Sequence, residues 1–365
     1  MPFNLIGTNS IADDAVTSAK TAFDDVPFRN LIINGDMSID QRNSGASQTI
    51  ASANTYYIDR FLAREVTDGA LTIDQDTTSP DDFTHSMKIT TTTADSSLSS
   101  TQRAYVVQKI EGYNISKLAF GTSSAKSITI SFYVRSSLTG TFSGSILNEG
   151  ENRSYVFEYT INSADTWERK TITIAGDTSG TWDTDNTVGM SIYFSMGMGS
   201  TYSGSAGAWS GNQLFASTGS TNLIGTLNAT WYITGLQLEV GTSASDFEFV
   251  PFDVNLQRCQ RYFFTYIGTE QEWVYKENNN ANGSWAWLVI PHIMRTVPTI
   301  TFDSGWTGGT VEGLTGTISS LSASNIEKYR ASLRLTMSSG QSGSGYELHH
   351  TDAWTDDVAS LSAEL

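Results

Sequence analysis

Residues 128–136 read ITISFYVRS, and the alternation inside them decides the fold. Ile128, Ile130, Phe132 and Val134 fall on one side of an extended chain, Thr129, Ser131 and Tyr133 on the other. Successive side chains of a strand point to opposite faces, so this is a strand with one face in a core. The same period returns at Tyr155, Phe157, Tyr159 and Ile161, at Ile172 and Ile174, and at Val188, Met190, Ile192, Phe194 and Met196. No proline occurs between Ser86 and Val250, which leaves every backbone N–H there able to join a ladder. Many half-buried strands in succession predict two packed sheets. At Trp231 and Ile233 the apolar positions are odd, but at Leu236, Leu238 and Val240 they are even, as a bulge at Thr234 and Gly235 would produce.

The rest of the composition agrees. The chain has 365 residues with 31 Gly, 6 Pro and only 16% charged residues, an all-β balance with length for one large unit and a smaller one. Net charge is 21 − 38 = −17, the wrong sign for gripping a phosphate backbone, so nucleic acid is not an expected partner. Cys259 is the single cysteine, which excludes an intrachain disulfide and a multi-cysteine zinc site. No apolar run approaches the ~20 residues of a membrane span, so no membrane insertion is expected. The opening MPFNLIGTNS lacks the basic start and apolar stretch of a secretory signal.

Three segments follow. In residues 1–27, Ile11, Ala15, Ala19 and Phe23 recur every four residues behind Ser10 and Asp13, either as a frayed arm or as an attachment segment that orders against a partner. Residues 28–252 carry the strand pattern. Residues 253–365 form a smaller β-domain that begins with a short helix, because Leu256, Cys259, Tyr262 and Phe263 share a helical face after Pro251. Trp285, Trp287 and Val289, then Ile300 and Phe302, then Leu333, Leu335 and Met337 supply its strands, with KENNNANGS and SSGQSGSG as loops.

Chemistry is sparse. The four histidines have no metal-ligand spacing, and no nucleophile elbow, phosphate loop or dinucleotide fingerprint is present, so an enzyme is not expected. Asp177, Asp183 and Asp185 in GDTSGTWDTDN read first as a turn whose carboxylates bond their own backbone, and second as a source of a hydrolytic carboxylate pair. Trp182 in that turn, and Tyr202 and Trp209 in GMGSTYSGSAGAWSG, are the candidate carbohydrate-binding residues. A flat ring stacks on a pyranose face, although aromatic side chains also dominate subunit interfaces.

NLIINGDMSIDQR, TYYIDRF, DTWERKTITIAGDTSGTW, WYITGLQLEVG and FEFVPFDVNLQRCQRYFF, in that order, resemble a family of bacteriophage tail-fibre and related virion structural proteins. The framing strands also resemble those of carbohydrate-binding jelly-roll modules. The resemblance implies a jelly-roll β-sandwich and a homotrimeric assembly of fibre type. It further implies attachment to other virion proteins through the N-terminal segment, host surface polysaccharide as partner, and a place on the virion after synthesis in the host cytoplasm and release by lysis. An adaptor, capsid decoration or head-fibre subunit is the alternative role, and a polysaccharide depolymerase a third. Modules of this type often hold a structural calcium; here Thr234 and Gly235 stand where an acidic pair would be, and Asp36 and Glu239 are two candidate oxygen ligands against the six to eight calcium prefers, so a structural calcium is left open and no cofactor is assigned.

Overall fold

A computed structural model describes residues 28–267, 276–280, 283–290, 292–302, 318–324, 326–328, 330–337 and 357–365. Ile11, Ala15, Ala19 and Phe23 lie outside the described residues, as does the SSGQSGSG stretch. The fold is an all-β sandwich. One six-stranded sheet runs in the order β1 (Gln48–Thr49), β4 (Ala70–Asp76), β5 (Ser86–Thr93), β15 (Thr230–Val240), β7 (Ile128–Ser136) and β10 (Glu168–Ile174). The facing seven-stranded sheet runs β13 (Trp209–Ser210), β9 (Ser154–Ile161), β8 (Gly140–Leu147), β11 (Val188–Met198), β6 (Arg103–Glu111), β3 (Phe61–Val66) and β2 (Thr55–Ile58). The chain crosses between the sheets repeatedly, so each sheet is assembled from strands distant in sequence.

The alternating residues meet between the sheets. Ile128, Ile130, Phe132 and Val134 of β7 are all fully buried, and from the other sheet Met190, Ile192 and Met196 are too. Phe132 packs edge-on against Tyr159 and Phe194 at ring separations of 5.1 and 5.3 Å. Burying each such side chain contributes about 1.5–3 kcal/mol, which is why the period-two pattern fixes the inward face. The expected irregularity in β15 is present: its register with β7 shifts between Thr234 and Gln237, and Gly235 takes φ +61°. That extra residue keeps Trp231 and Ile233 on the same inward face as Leu236 and Leu238.

After Pro251 the helix forms as α2 (Phe252–Gln260). Cys259 and Tyr262 bury against Ile33 and Ile39 of the sandwich, with Leu256 beside them. Cys259 is fully buried, and that burial raises its thiol well above its ordinary pKa, the setting of a packing residue. Beyond the helix, β16 (Phe263–Ile267), β22 (Asp357–Ser362) and β19 (Thr299–Phe302) make a three-stranded sheet. A four-stranded sheet runs β17 (Lys276–Asn280), β18 (Gly283–Val289), β21 (Arg330–Met337) and β20 (Ile318–Ser324). The KENNN stretch, expected as loop, is thus β17, paired antiparallel with β18. Its polar side chains carry no strand signal, and the ladder offered by β18 overrides weak propensity.

Candidate functional site

An open groove of about 360 Å³ lies where the chain enters the sandwich, lined by Phe28, Asn30, Leu31, Tyr113, Asn114, Ser116, Lys117 and Arg258. Three distant stretches build it. Residues 28–31 lie along β15, with Leu31 N–H donating to Leu238 O at 2.9 Å. Asn30 is buried, and its amide is spent on this splice: Nδ2 donates to Leu236 O, and Oδ1 accepts from Ile32 and Leu238 N–H. Glu248 accepts from the N–H groups of Phe28 and Asn30, which fixes the direction in which Phe28 leaves the fold.

The second wall is the short turn α1 (Gly112–Ile115) that follows β6, continued by a 3₁₀ turn over Ser116–Leu118. Gly112 is required there, since a Cβ would sit 2.6 Å from Asp183 O. Its N–H donates to Thr187 O and that of Tyr113 to Asp185 O, while Ile115 and Leu118 anchor the turn in the core. Tyr113, Asn114, Ser116 and Lys117 are therefore pushed outward and exposed. The third contribution comes from α2. Asn255 accepts from Asn34 N–H and donates to Asp36 Oδ1 and Ser38 Oγ, and this sets the helix so that Arg258 reaches the groove. The Arg258 guanidinium lies 5.9 Å from the Phe28 ring centre.

Phe28 and Tyr113 are 55% and 59% exposed and share this groove, while the exposed rings of Phe249 and Phe252 are not among its lining residues. Two open aromatic surfaces with amide, hydroxyl and cationic groups between them form a site that can stack a ring and hold its polar substituents.

The aromatics singled out from the sequence lie elsewhere. Trp182 is buried at 7% exposure, edge-on to Phe120 and Trp209 at 4.9 and 5.5 Å, and its Nε1–H donates to Asp177 Oδ2 and Ser179 O. Its ring is part of the core, which corrects the expectation of an open platform there. Trp209 is half-buried in edge strand β13 opposite Tyr155, with Nε1–H donating to Ala175 O at 2.7 Å. Tyr202 is half-buried on the outer side of the seven-stranded sheet, against Phe215 and beneath the Arg103 guanidinium. The Gly/Ser-rich stretch has folded back onto the sheet, so Tyr202 belongs to a different cluster from Trp182 and Trp209.

The acidic turn behaves as a turn. Asp177 is 1% exposed and grips Arg153 through both oxygens at 2.6 and 2.8 Å, and Asp185 accepts from Thr187 N–H and Oγ1. Those Thr187 bonds hold the Asp185 carboxyl below its ordinary range. Of the calcium candidates, Asp36 accepts from Ser38 and Asn255, and Glu239 from Gln237 and Ser245. Among the described residues no three His, Cys, Asp or Glu side chains group as a metal set.

No protein-family model matches the chain, and no curated protein matches it. Among solved structures it is similar to the enzymatically active domain of bacteriophage CBA120 tailspike protein 4, at 12% identity and TM-score 0.32 over 59% of this chain, spanning only 22% of that one. A putative sugar binding protein from Bacteroides thetaiotaomicron shares 15% identity over 58% of this chain and 100% of its own, TM-score 0.33. The family 11 carbohydrate-binding module of Clostridium thermocellum, solved with a mixed-linked tetrasaccharide, shares 12% over 56% and 99%, TM-score 0.28.

Proposed function

We propose that this chain is a non-catalytic glycan-binding protein of a phage particle, a tail-fibre-like adhesin whose sandwich contacts host surface polysaccharide. The observation that carries the glycan half is the groove with Phe28 and Tyr113 open to solvent beside Asn114, Lys117 and Arg258. The virion half rests on the ordered motifs between residues 30 and 264, and with it come attachment through residues 1–27 and a homotrimer. A trimer presenting three such grooves would make weak sites sufficient.

The test is binding of the purified full chain to an array of bacterial surface polysaccharides, compared with Phe28→Ala and Tyr113→Ala. Both residues are more than half exposed, so neither change should unfold the protein, and each should weaken glycan binding about tenfold, roughly the value of one stacking contact. Wild-type protein that retains no glycan from the array would remove the adhesin reading. A second reading, as a non-adhesive adaptor, decoration or head-fibre subunit, draws on the packing of Trp182, Trp209 and Tyr202 within the chain's own fold. It predicts that particles carrying Phe28→Ala and Tyr113→Ala adsorb normally. A depolymerase would release new reducing ends from a bound glycan, and we expect none.

A further inference from the structure

We propose that the groove selects acidic saccharides, those bearing carboxylate, sulfate or phosphate groups, with Arg258 as the anion-recognising residue and Lys117 as its support. The inference rests on the glycan reading above and adds the charge class of the ligand.

Arg258 is half-buried, and among the described residues no hydrogen bond or close ion pair holds its guanidinium, which lies against the Phe28 ring within the electrostatic reach of Cys259, Glu248 and Tyr262. A guanidinium carries five donors in a planar fork, and withdrawing it from water without a partner is costly. Burial accordingly pulls its pKa below the ordinary arginine range. The other arginines near the junction are all engaged: Arg261 on Glu111, Arg60 and Arg42 on Glu364, and Arg295 on the carbonyls of Asn186, Ala363 and Glu364. Glu248 contributes electrostatically to Arg258, but both its oxygens face the N–H groups of Phe28 and Asn30. Lys117 is exposed, and no hydrogen bond or ion pair holds it among the described residues.

Among the described residues no acidic side chain lines the groove, in a chain whose net charge is −17. The net charge opposes an anionic polymer overall, and Arg258 and Lys117 beside two open rings offer such a polymer a place to lie down. The fork geometry of Arg258 suits two oxygens of one carboxylate or sulfate, while the sugar ring stacks on Phe28 or Tyr113.

The experiment measures binding of the full chain, by biolayer interferometry, to polygalacturonate, alginate, polysialic acid and chondroitin sulfate. The same polymers after carboxyl reduction or desulfation, and neutral dextran and galactan, form the comparison arm. At least one acidic polymer should bind about tenfold more tightly than its neutralised form, and raising the salt toward about 1 M should erase most of the difference. Arg258→Gln and Lys117→Gln should each remove most of the preference for the acidic over the neutralised form; Lys117, being exposed, guards against a folding artefact at Arg258. Carboxyl reduction and desulfation tell which acidic group is read. Equal binding of acidic and neutralised polymers, unchanged by either substitution, overturns the charge selection and leaves the glycan reading standing. No binding to any polymer in either arm overturns both.

Discussion

Arg60 and Glu364 form an ion pair almost out of reach of water, with side-chain exposures of 1% and 7%. Arg60 comes from the β2–β3 turn of the sandwich and Glu364 from the residues after β22, so the pair joins the two parts of the chain. It is embedded in a network: Arg60 also donates to Lys109 O and stacks on Tyr262 at 3.5 Å, while Arg42 binds Glu364 from a second side. Tyr262 in turn donates to Glu111, which Arg261 grips.

Removing one member should cost far more than removing both. Glu364→Leu leaves two buried guanidinium groups uncompensated and should lower unfolding stability by about 3–5 kcal/mol, whereas adding Arg60→Met should recover a sizeable part of that loss. Urea unfolding of the two single variants and the double variant gives the coupling energy. A double variant whose loss equals the sum of the singles would show that the pair is not coupled.

Trp182→Ala should destabilise the sandwich by about 3–5 kcal/mol, the cost of a large aromatic cavity, measured as a shift of the urea midpoint. Its Nε1–H bond to Asp177 and the contact with Trp209 go with it. The same substitution should leave the binding contacts of the Phe28 groove in place once the protein is folded, since Trp182 is not among its lining residues. A Trp182→Ala protein of unchanged stability that had lost its glycan would restore Trp182 as a ligand platform.

The contrast between these residues shows what the sequence could and could not tell. Ile128 to Val134 were legible because strand burial has period two and every second residue is apolar. The phase change around Gly235 was legible for the same reason, as a break in a strong signal. The burial of Trp182, and the packing of Tyr202 and Trp209 in different clusters, were not legible because glycine and serine neighbours mark a loop but not whether the loop folds back. Here the segment closes over the outer face of a sheet, bringing Tyr202 onto Phe215. Phe28 and Tyr113 carried no local sign of exposure. Their meeting depends on β6 ending beside the entering chain and on α2 delivering Arg258, a long-range coincidence that no single window of sequence contains. The polar KENNN strand was hidden likewise, because its partner supplies the ladder.

Gly235→Ala tests the bulge. At φ +61° an L side chain is strained, and a Cβ would lie 2.7 Å from Phe83 Cζ and 3.0 Å from Tyr133 Cδ2. Phe83 sits in a cluster with Phe247 and Phe249, which limits its retreat. The loss should be about 1–3 kcal/mol by urea unfolding, against less than about 0.5 kcal/mol for Gly211→Ala, which has open space around it. Equal effects at the two positions would mean that β15 tolerates a regular conformation at Gly235.

Asp59 makes the junction pH-sensitive. It is fully buried, and burial pushes its carboxyl up from 3.8 to about 6, against the opposing pull of Arg42 and of the Gln41 N–H groups at 2.6 and 2.7 Å. A carboxyl with a raised folded-state pKa binds its proton more tightly in the folded chain than in the unfolded one. Its contribution to stability is therefore fully present below pH 3.8 and is lost as pH rises through about 6. Across that window the contribution changes by about 2–3 kcal/mol, at roughly 1.4 kcal/mol per pKa unit. Asp59→Asn cannot titrate, so the stability difference between wild type and variant should shift by that amount in favour of the wild type as pH falls from 7 toward 4. Paired urea curves at several pH values read the difference directly and cancel every other titrating group. A difference that stays constant with pH would mean that Asp59 remains ionised in the folded protein throughout, held so by Arg42 and Gln41.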